Sequence, residues 1–296
     1  MARDWEAWLA NSVGPASDTE EQDRDRTERR IREAILAHPR LVGNVKVFVK
    51  GSYATGTNVR RDSDVDIAVE WNRWAYIEKK FEAADYSWAQ LGVPLTESGP
   101  APDEYRQWVE EALYTAFPSS TIDPGNKAIR VEGGSTTLDA DVVPCFRYKR
   151  YDKPGVCHVG IQLHPRIGDA VINWPRQNLD NGDAKNRRTG LYFKRMVRAF
   201  KRLENDMVDV GRLSSEVPGY LIECLLWNCP DEYFTASTYK ERTELLLLWL
   251  WNGLHHGEEQ EWTEVNALKY LFRGSQKWTR DDALGFVRTA YKYIFG

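Results

Sequence analysis

Gly51-Ser52-Tyr53-Ala54-Thr55-Gly56-Thr57, followed by Asp64-Val65-Asp66-Ile67-Ala68-Val69, joins a stretch of small and hydroxyl residues to a segment with two carboxylates two positions apart. Upstream, Val45, Val47 and Val49 alternate with Lys46, Phe48 and Lys50, the two-residue period of a half-buried strand ending at Gly51. Small residues at Gly51 and Ser52 let backbone N–H groups approach a phosphate, and the Ser52 hydroxyl adds a donor. On the following strand Asp64, Asp66, Ala68 and Glu70 share one face and Val65, Ile67 and Val69 the other. Two carboxylates so placed repel unless a cation lies between them, and Mg²⁺ with oxygen ligands suits them. Asp-x-Asp alone would equally describe a solvated acidic edge strand; the Gly-Ser stretch upstream turns the reading toward a nucleotide and metal site.

A third acid comes from Thr136-Thr137-Leu138-Asp139-Ala140-Asp141-Val142-Val143-Pro144, where Leu138, Ala140 and Val142 share one face and Asp139, Asp141 and Val143 the other. Periodicity admits either Asp139 or Asp141 as the ligand.

Taken together, Gly51-Ser52, Asp64-Val65-Asp66 and Asp141-Val142-Val143-Pro144 resemble the polymerase-β-type nucleotidyltransferase signature. The longer string Gly-Ser-Tyr-x-x-x-Thr-x-Val-Arg-x-x-Ser-Asp-Val-Asp-Ile, ending at Ile67, is similar to the cGAS/DncV-like enzymes (CD-NTases), and among them to the bacterial CdnE clade. The resemblance implies an α+β fold: a nucleotidyltransferase core lobe with a mixed sheet and a long N-terminal helix over 1–180, and a helical lobe over 181–296 that completes the nucleotide pocket. It makes Asp64, Asp66 and Asp141 the catalytic metal ligands for two Mg²⁺ ions, with Mn²⁺ able to substitute.

At 296 residues, with 42% hydrophobic content, 12 Trp and 14 Tyr, the chain can bury a large core. A net charge of −4 argues against a general nucleic-acid coat. No apolar run approaches the ~18 residues of a membrane span and no signal-peptide core follows Met1, so a cytoplasmic protein is expected. Four cysteines without a Cys-x-x-Cys pair indicate reduced, mostly buried thiols. The zinc-binding insertion of the animal relative has no counterpart, and no DNA activator is indicated.

Ser17-Asp18-Thr19-Glu20 reads as a capping box opening a helix to about Ala37, and Pro102 opens another to about Ala116. Gly133-Gly134 predicts a hairpin into the third-acid strand, and strands are expected over 156–163 and 170–174. His158 and His164 read as structural. The Asp180-Asn181-Gly182 triplet is taken as the boundary between lobes, with a basic helix beyond it, free of acid from Ala184 to Leu203. Lys194, Arg198 and Lys201 fall at i, i+4 and i+7 on one of its faces, which would hold a triphosphate or simply be solvated. Residues 245–250 read as a buried helix and 261–296 as closing helices.

By the resemblance, Lys201, with Lys194 second, contacts the donor triphosphate. Tyr220, in Pro218-Gly219-Tyr220, stacks on the base where relatives carry Ser-Tyr or Ser-Phe; a core tyrosine is the competing reading. Asn173 is the candidate for pyrimidine choice, or else a turn residue before Pro175. The implied activity is synthesis of a cyclic dinucleotide, such as cyclic UMP-AMP, from ATP, UTP or other NTPs, in bacterial antiphage (CBASS) signalling through a separate effector protein. Conjugation through Gly296 is an additional idea. The alternatives are a transferase acting on a protein, small molecule or RNA end, and a non-catalytic nucleotide-binding regulator.

Overall fold

The computed structural model describes residues 3–15, 17–59, 64–93, 98–274 and 276–296. In chain order its elements are α1 (Trp5–Ser12), α2 (Asp18–Ala37), β1 (Val45–Val49), α3 (Gly51–Thr55), β2 (Val65–Lys79), α4 (Pro102–Ala116), β3 (Ile122–Pro124), β4 (Ile129–Val131), β5 (Ala140–Lys153), β6 (Val156–Leu163), β7 (Val171–Asn173), α5 (Pro175–Arg188), α6 (Tyr192–Asp209), α7 (Gly219–Asn228), α8 (Tyr239–His256) and α9 (Arg280–Phe295). They group into two compact units, one of Ser17–Tyr53 and Arg60–Arg176, the other of Met1–Ala16, Ala54–Val59 and Gln177–Gly296.

The first unit is a mixed seven-stranded sheet in the order β1-β2-β5-β4-β3, with β6 on the later part of β5 and β7 on β6. Among the described residues only β2 and β5 pair in parallel, and the other strand pairings are antiparallel. The strand alternation decides what each face carries. Val65, Ile67 and Val69 pack with Ile31 and Ile35 of α2 and Tyr105, Val109 and Leu113 of α4, all buried. Each such aliphatic side chain contributes about 1.5–3 kcal/mol when fully buried. The opposite face has only a small apolar cluster around Ala68, Val143, Cys145, Ile161 and Leu163. It is therefore the face that has room for acids.

Local chemistry sets the helix starts. Ser17 accepts from the Glu20 N–H at 3.2 Å and opens α2, and Pro102 stands in the first turn of α4. The hairpin at Gly133-Gly134 joins β4 to β5; a Cβ on Gly133 would lie 2.4 Å from the Thr137 carbonyl oxygen, so only glycine passes there.

The second unit is helical, built around buried Phe193, Met196, Val197 and Phe200 of α6 with Leu221 and Leu225 of α7 and Leu246, Leu247 and Leu250 of α8. Three expectations change here. Asp180-Asn181-Gly182 is not a boundary turn: it lies inside α5, where the Asn181 amide donates to the Val265 carbonyl at 2.8 Å instead of bonding its own backbone. The basic run is two helices rather than one, because Gly190 and Leu191 both take left-handed backbone angles (φ +59° and +68°) and the Thr189 hydroxyl accepts from the Phe193 N–H. The described residues of 261–296 contain one α-helix, α9; before it the Asn266 side-chain oxygen accepts from the Leu268 and Lys269 N–H groups and fixes a turn. A helix not anticipated, α1, starts where Asp4 accepts from the Ala7 N–H.

Cys145, Cys224 and Cys229 are buried and Cys157 exposed, all as free thiols. Among the described residues no helix is long and apolar enough to cross a membrane.

Candidate active site

Register brings the acids together. Asp66 of β2 stands directly opposite Asp141 of β5, and Asp141 opposite Arg130 of β4. On the other side the Lys50 N–H donates to the Asp66 carbonyl at 2.8 Å. One row across four neighbouring segments thus reads Lys50, Asp66, Asp141, Arg130, a carboxylate pair flanked by two cations. Asp64 immediately precedes β2.

The side chains follow that row. Lys50 Nζ donates to Asp66 Oδ1 at 2.6 Å. Arg130 spans Asp64 Oδ2 at 3.4 Å and Asp139 Oδ2 at 2.6 Å, while the Gly133 N–H donates to Asp139 Oδ1 at 2.6 Å. Asp139 is therefore engaged in tying the β4–β5 connection, and Asp141 is the acid that faces the Asp64–Asp66 pair. Burial raises the Asp141 pKa above the ordinary carboxylate value, with Asp64 and Asp66 adding to it and Lys50 and Arg130 opposing. Burial likewise raises Asp64, against the pull of Arg130. Such mutual repulsion is relieved by a dication, and hard oxygen donors suit Mg²⁺.

Gly51-Ser52 is not a loop but the first turn of the short helix α3. Gly51 has φ +68°, and a Cβ there would lie 2.2 Å from Asp66 Oδ2. Glycine at this position thus serves two needs: the left-handed turn out of β1 and the space for the Asp66 carboxylate. Ser52 is half-buried beside it in the chain. Arg60 and Ser63 of the longer motif lie outside the described residues.

Asn173 does not share the row. It pairs with Ile161 of β6, which pairs with Arg147 of β5, six residues beyond Asp141. Strand geometry puts that on the order of 20 Å along the sheet. His158 and His164 are, as expected, structural: one lies 3.2 Å from Asp152, the other packs on Tyr76 and Phe146.

In the helical unit the basic stripe is not solvated. Lys201 is 6% exposed, and its three donor bonds go to the Thr57 carbonyl and Thr57 hydroxyl, both at 3.1 Å, and to Glu223 at 3.4 Å. The Thr57 hydroxyl in turn donates to Glu223 at 2.8 Å. Burial lowers the Lys201 pKa, with Glu223 opposing. Arg198 donates to the carbonyls of Val13 and Gly56. Lys194, less buried, pairs with Asp183 at 2.5 Å. Tyr220 donates to Asn178 Oδ1 at 3.0 Å or to Glu264 at 3.2 Å, and its ring meets Trp278 edge-on. A Cβ on Gly219 would lie 3.3 Å from the Lys201 side chain, so Gly219 is a close neighbour of that lysine.

Four residues of these clusters were not singled out from sequence for what they do here: Lys50, Arg130, Asn178 and Glu223. Lys50 had a signal, since it directly precedes Gly51 and so lies beside Asp66 once β1 and β2 pair. The others depend on pairings distant in sequence.

The donor set fits a divalent metal by its chemistry: three carboxylates on one face, two with raised proton affinity. Among the described residues no three His, Cys, Asp or Glu side chains converge on a single point, and Asp66 is turned to Lys50.

The family model for the cGAS/DncV-like nucleotidyltransferase C-terminal helical domain matches residues 180–295, and that for the nucleotidyltransferase domain matches residues 29–112. The chain is 37% identical to a cyclic dipyrimidine nucleotide synthase CdnE of Legionella pneumophila, over 99% of each chain. Its fold matches a solved CdnE cyclic dinucleotide synthase of Elizabethkingia meningoseptica with GTP and Apcpp, at TM-score 0.84 and 30% identity, covering 99% of this chain and 100% of that one. A Rhodothermus marinus CdnE c-UMP-AMP synthase with Apcpp and Upnpp matches at TM-score 0.83 and 27% identity, covering 96% and 94%.

Proposed function

The chain belongs to the cGAS/DncV-like nucleotidyltransferases, within the CdnE clade, and from that premise we propose that it is a cyclic dinucleotide synthase, joining two NTPs by two successive nucleotidyl transfers. The observation that supports this most is the parallel register of Asp66 on Asp141 with Asp64 beside them. Asp64, Asp66 and Asp141 would hold two Mg²⁺ ions, or Mn²⁺ in their place. When bound, such ions supply charge for the leaving pyrophosphate and acidify the attacking hydroxyl.

The residues of the chain do the rest. The Gly51 N–H and Ser52 hydroxyl orient the β- and γ-phosphates. Asp141 would accept the proton of the 3′ hydroxyl as that oxygen bonds the α-phosphorus and pyrophosphate departs. Lys194 and Lys201 are assigned to the triphosphate, although the three bonds made by Lys201 favour a positioning part for it. Tyr220 is assigned to the base. The core lobe is taken as 1–180 and the helical lobe as 181–296. The product would act as a second messenger in bacterial antiphage signalling, on a separate effector, in the cytoplasm; conjugation through Gly296 is kept only as an untried extension.

Uridine alongside adenosine is the base choice we favour: the dipyrimidine synthase of Legionella and the UMP-AMP synthase of Rhodothermus both support a pyrimidine, and the second alone supports adenosine as its partner. The test is incubation with all four α-labelled NTPs and Mg²⁺ or Mn²⁺, then phosphatase and mass spectrometry. A phosphatase-resistant species is expected, and its mass names the bases. None under either metal would count against the synthase and favour a protein, small-molecule or RNA acceptor. Asn173→Ser and Asn178→Ser made in parallel separate the two amides: a shift toward purines in the first supports Asn173, and unchanged products there with a shift in the second move the assignment to the amide that meets Tyr220.

A further inference from the structure

We infer that Lys50 is a positioning residue that latches Asp66, and that a divalent metal enters the site by exchanging with the Lys50 ammonium. This rests on the nucleotidyl-transfer reading above and adds to it what governs loading of the site.

Four observations carry it. Lys50 and Asp66 are locked side by side by the backbone bond of 2.8 Å between β1 and β2, so the pair is built into the sheet rather than met by chance on a surface. Lys50 Nζ lies 2.6 Å from Asp66 Oδ1, with the lysine side chain only 14% exposed. The other oxygen, Asp66 Oδ2, packs against Gly51, where no side chain could fit. Asp66 is thus held on both oxygens' sides, one by charge and one by shape. Finally, Asp64 is not held in this way: its partner Arg130 lies 3.4 Å away and has a side chain 45% exposed.

Electrostatics then fixes the order of events. A dication and an ammonium cannot share one carboxylate oxygen at contact distance without strong repulsion. Turning Asp66 toward Asp141 therefore needs Lys50 to let go. The latch keeps three neighbouring carboxylates from standing uncompensated, and it sets the metal concentration at which they converge. An ordinary partner that merely orients a metal ligand acts in the opposite direction: its removal weakens metal binding about 10–100-fold. The sign of the effect separates the two roles.

The experiment is Mn²⁺ binding to the full chain, without nucleotide, read by the loss of the free Mn²⁺ electron paramagnetic resonance signal. Lys50→Met is expected to tighten binding about tenfold and Lys50→Arg to leave it near wild type. Lys46→Met removes the same charge from the same strand, away from Asp66, and is expected to change binding less than about twofold. Lys50→Gln carries the same prediction if Lys50→Met does not fold. Unchanged or weaker Mn²⁺ binding in the folded Lys50 variant overturns the latch, as does equal tightening in Lys46→Met. The parent reading is checked separately: Asp66→Asn/Asp141→Asn is expected to abolish the binding, and Mn²⁺ binding that survives this double change overturns the nucleotidyl-transfer site and the latch with it.

Discussion

The acid row of the sheet unit and the Lys201 cluster of the helical unit are both dense in charge, and they are built on opposite terms. In the sheet, carboxylates face one another, two of them with raised proton affinity, and the cations beside them are partly exposed. In the helical unit, Lys201, Glu223 and Thr57 are all under 9% exposed, and each of the lysine's three donors has an acceptor. The first compensates its carboxylates only in part, and the second gives every donor of its lysine an acceptor. A group that must act on a ligand needs the former; one that holds a fold together is safe only as the latter.

The largest effect is expected at Asp66. Asp66→Asn should lower nucleotidyl transfer by about 10³-fold or more, measured as product formed from labelled NTPs, since several kcal/mol of transition-state stabilisation would go with the metal. A variant with near-normal turnover would make the row a structural feature. Next comes Lys201→Met, expected to destabilise the protein by about 3 kcal/mol in chemical denaturation, because Glu223 is left buried without its counter-ion. Lys201→Met/Glu223→Met should recover most of that loss. A Lys201→Met protein of normal stability but greatly raised KM for NTP would instead make Lys201 a phosphate ligand.

The smallest effect sharpens the contrast most. Asp141 has its pKa raised in the folded protein, so its ionised form opposes folding: the cost is absent at low pH and fully present once pH rises above the folded value. Asp141→Asn should therefore stabilise the metal-free protein at pH 7 by on the order of 0.5 kcal/mol, about 1–2 °C in Tm, while abolishing activity. The gain should vanish below the ordinary carboxylate pKa. A loss of stability at pH 7 would mean the carboxylate is well compensated after all.

Much of the sheet unit was legible because its signals are local. Alternation gives β1 to within a residue of its end and β6 with its bounds, Ser17 and Pro102 give the starts of α2 and α4, and the Asp-x-Asp spacing gives the acidic face. The choice between Asp139 and Asp141 was not local: it turns on Arg130 and Gly133, which occupy Asp139. The helical unit was less legible for the same reason. Asp180-Asn181-Gly182 has the composition of a turn, yet a carbonyl more than eighty residues away gives Asn181 its partner and the helix continues. The stripe of Lys194, Arg198 and Lys201 was read correctly as one face, but nothing in its spacing tells that Arg198 and Lys201 point inward to carbonyls of segments 12–14 and 54–59.

The pairing of β2 with β5 has a consequence for how the chain reaches its native state. Asp66 and Asp141 lie far apart in sequence and meet through the parallel pairing of β2 with β5, the kind of non-local contact that forms late and slowly. Because side chains alternate, a slip of one residue would turn Asp141 toward the packed helices and bring Val142 out. The buried valines that reject such a slip therefore also proofread the acid row, and a misregistered molecule would lose its packing and that row at once, leaving little room for a folded population without it.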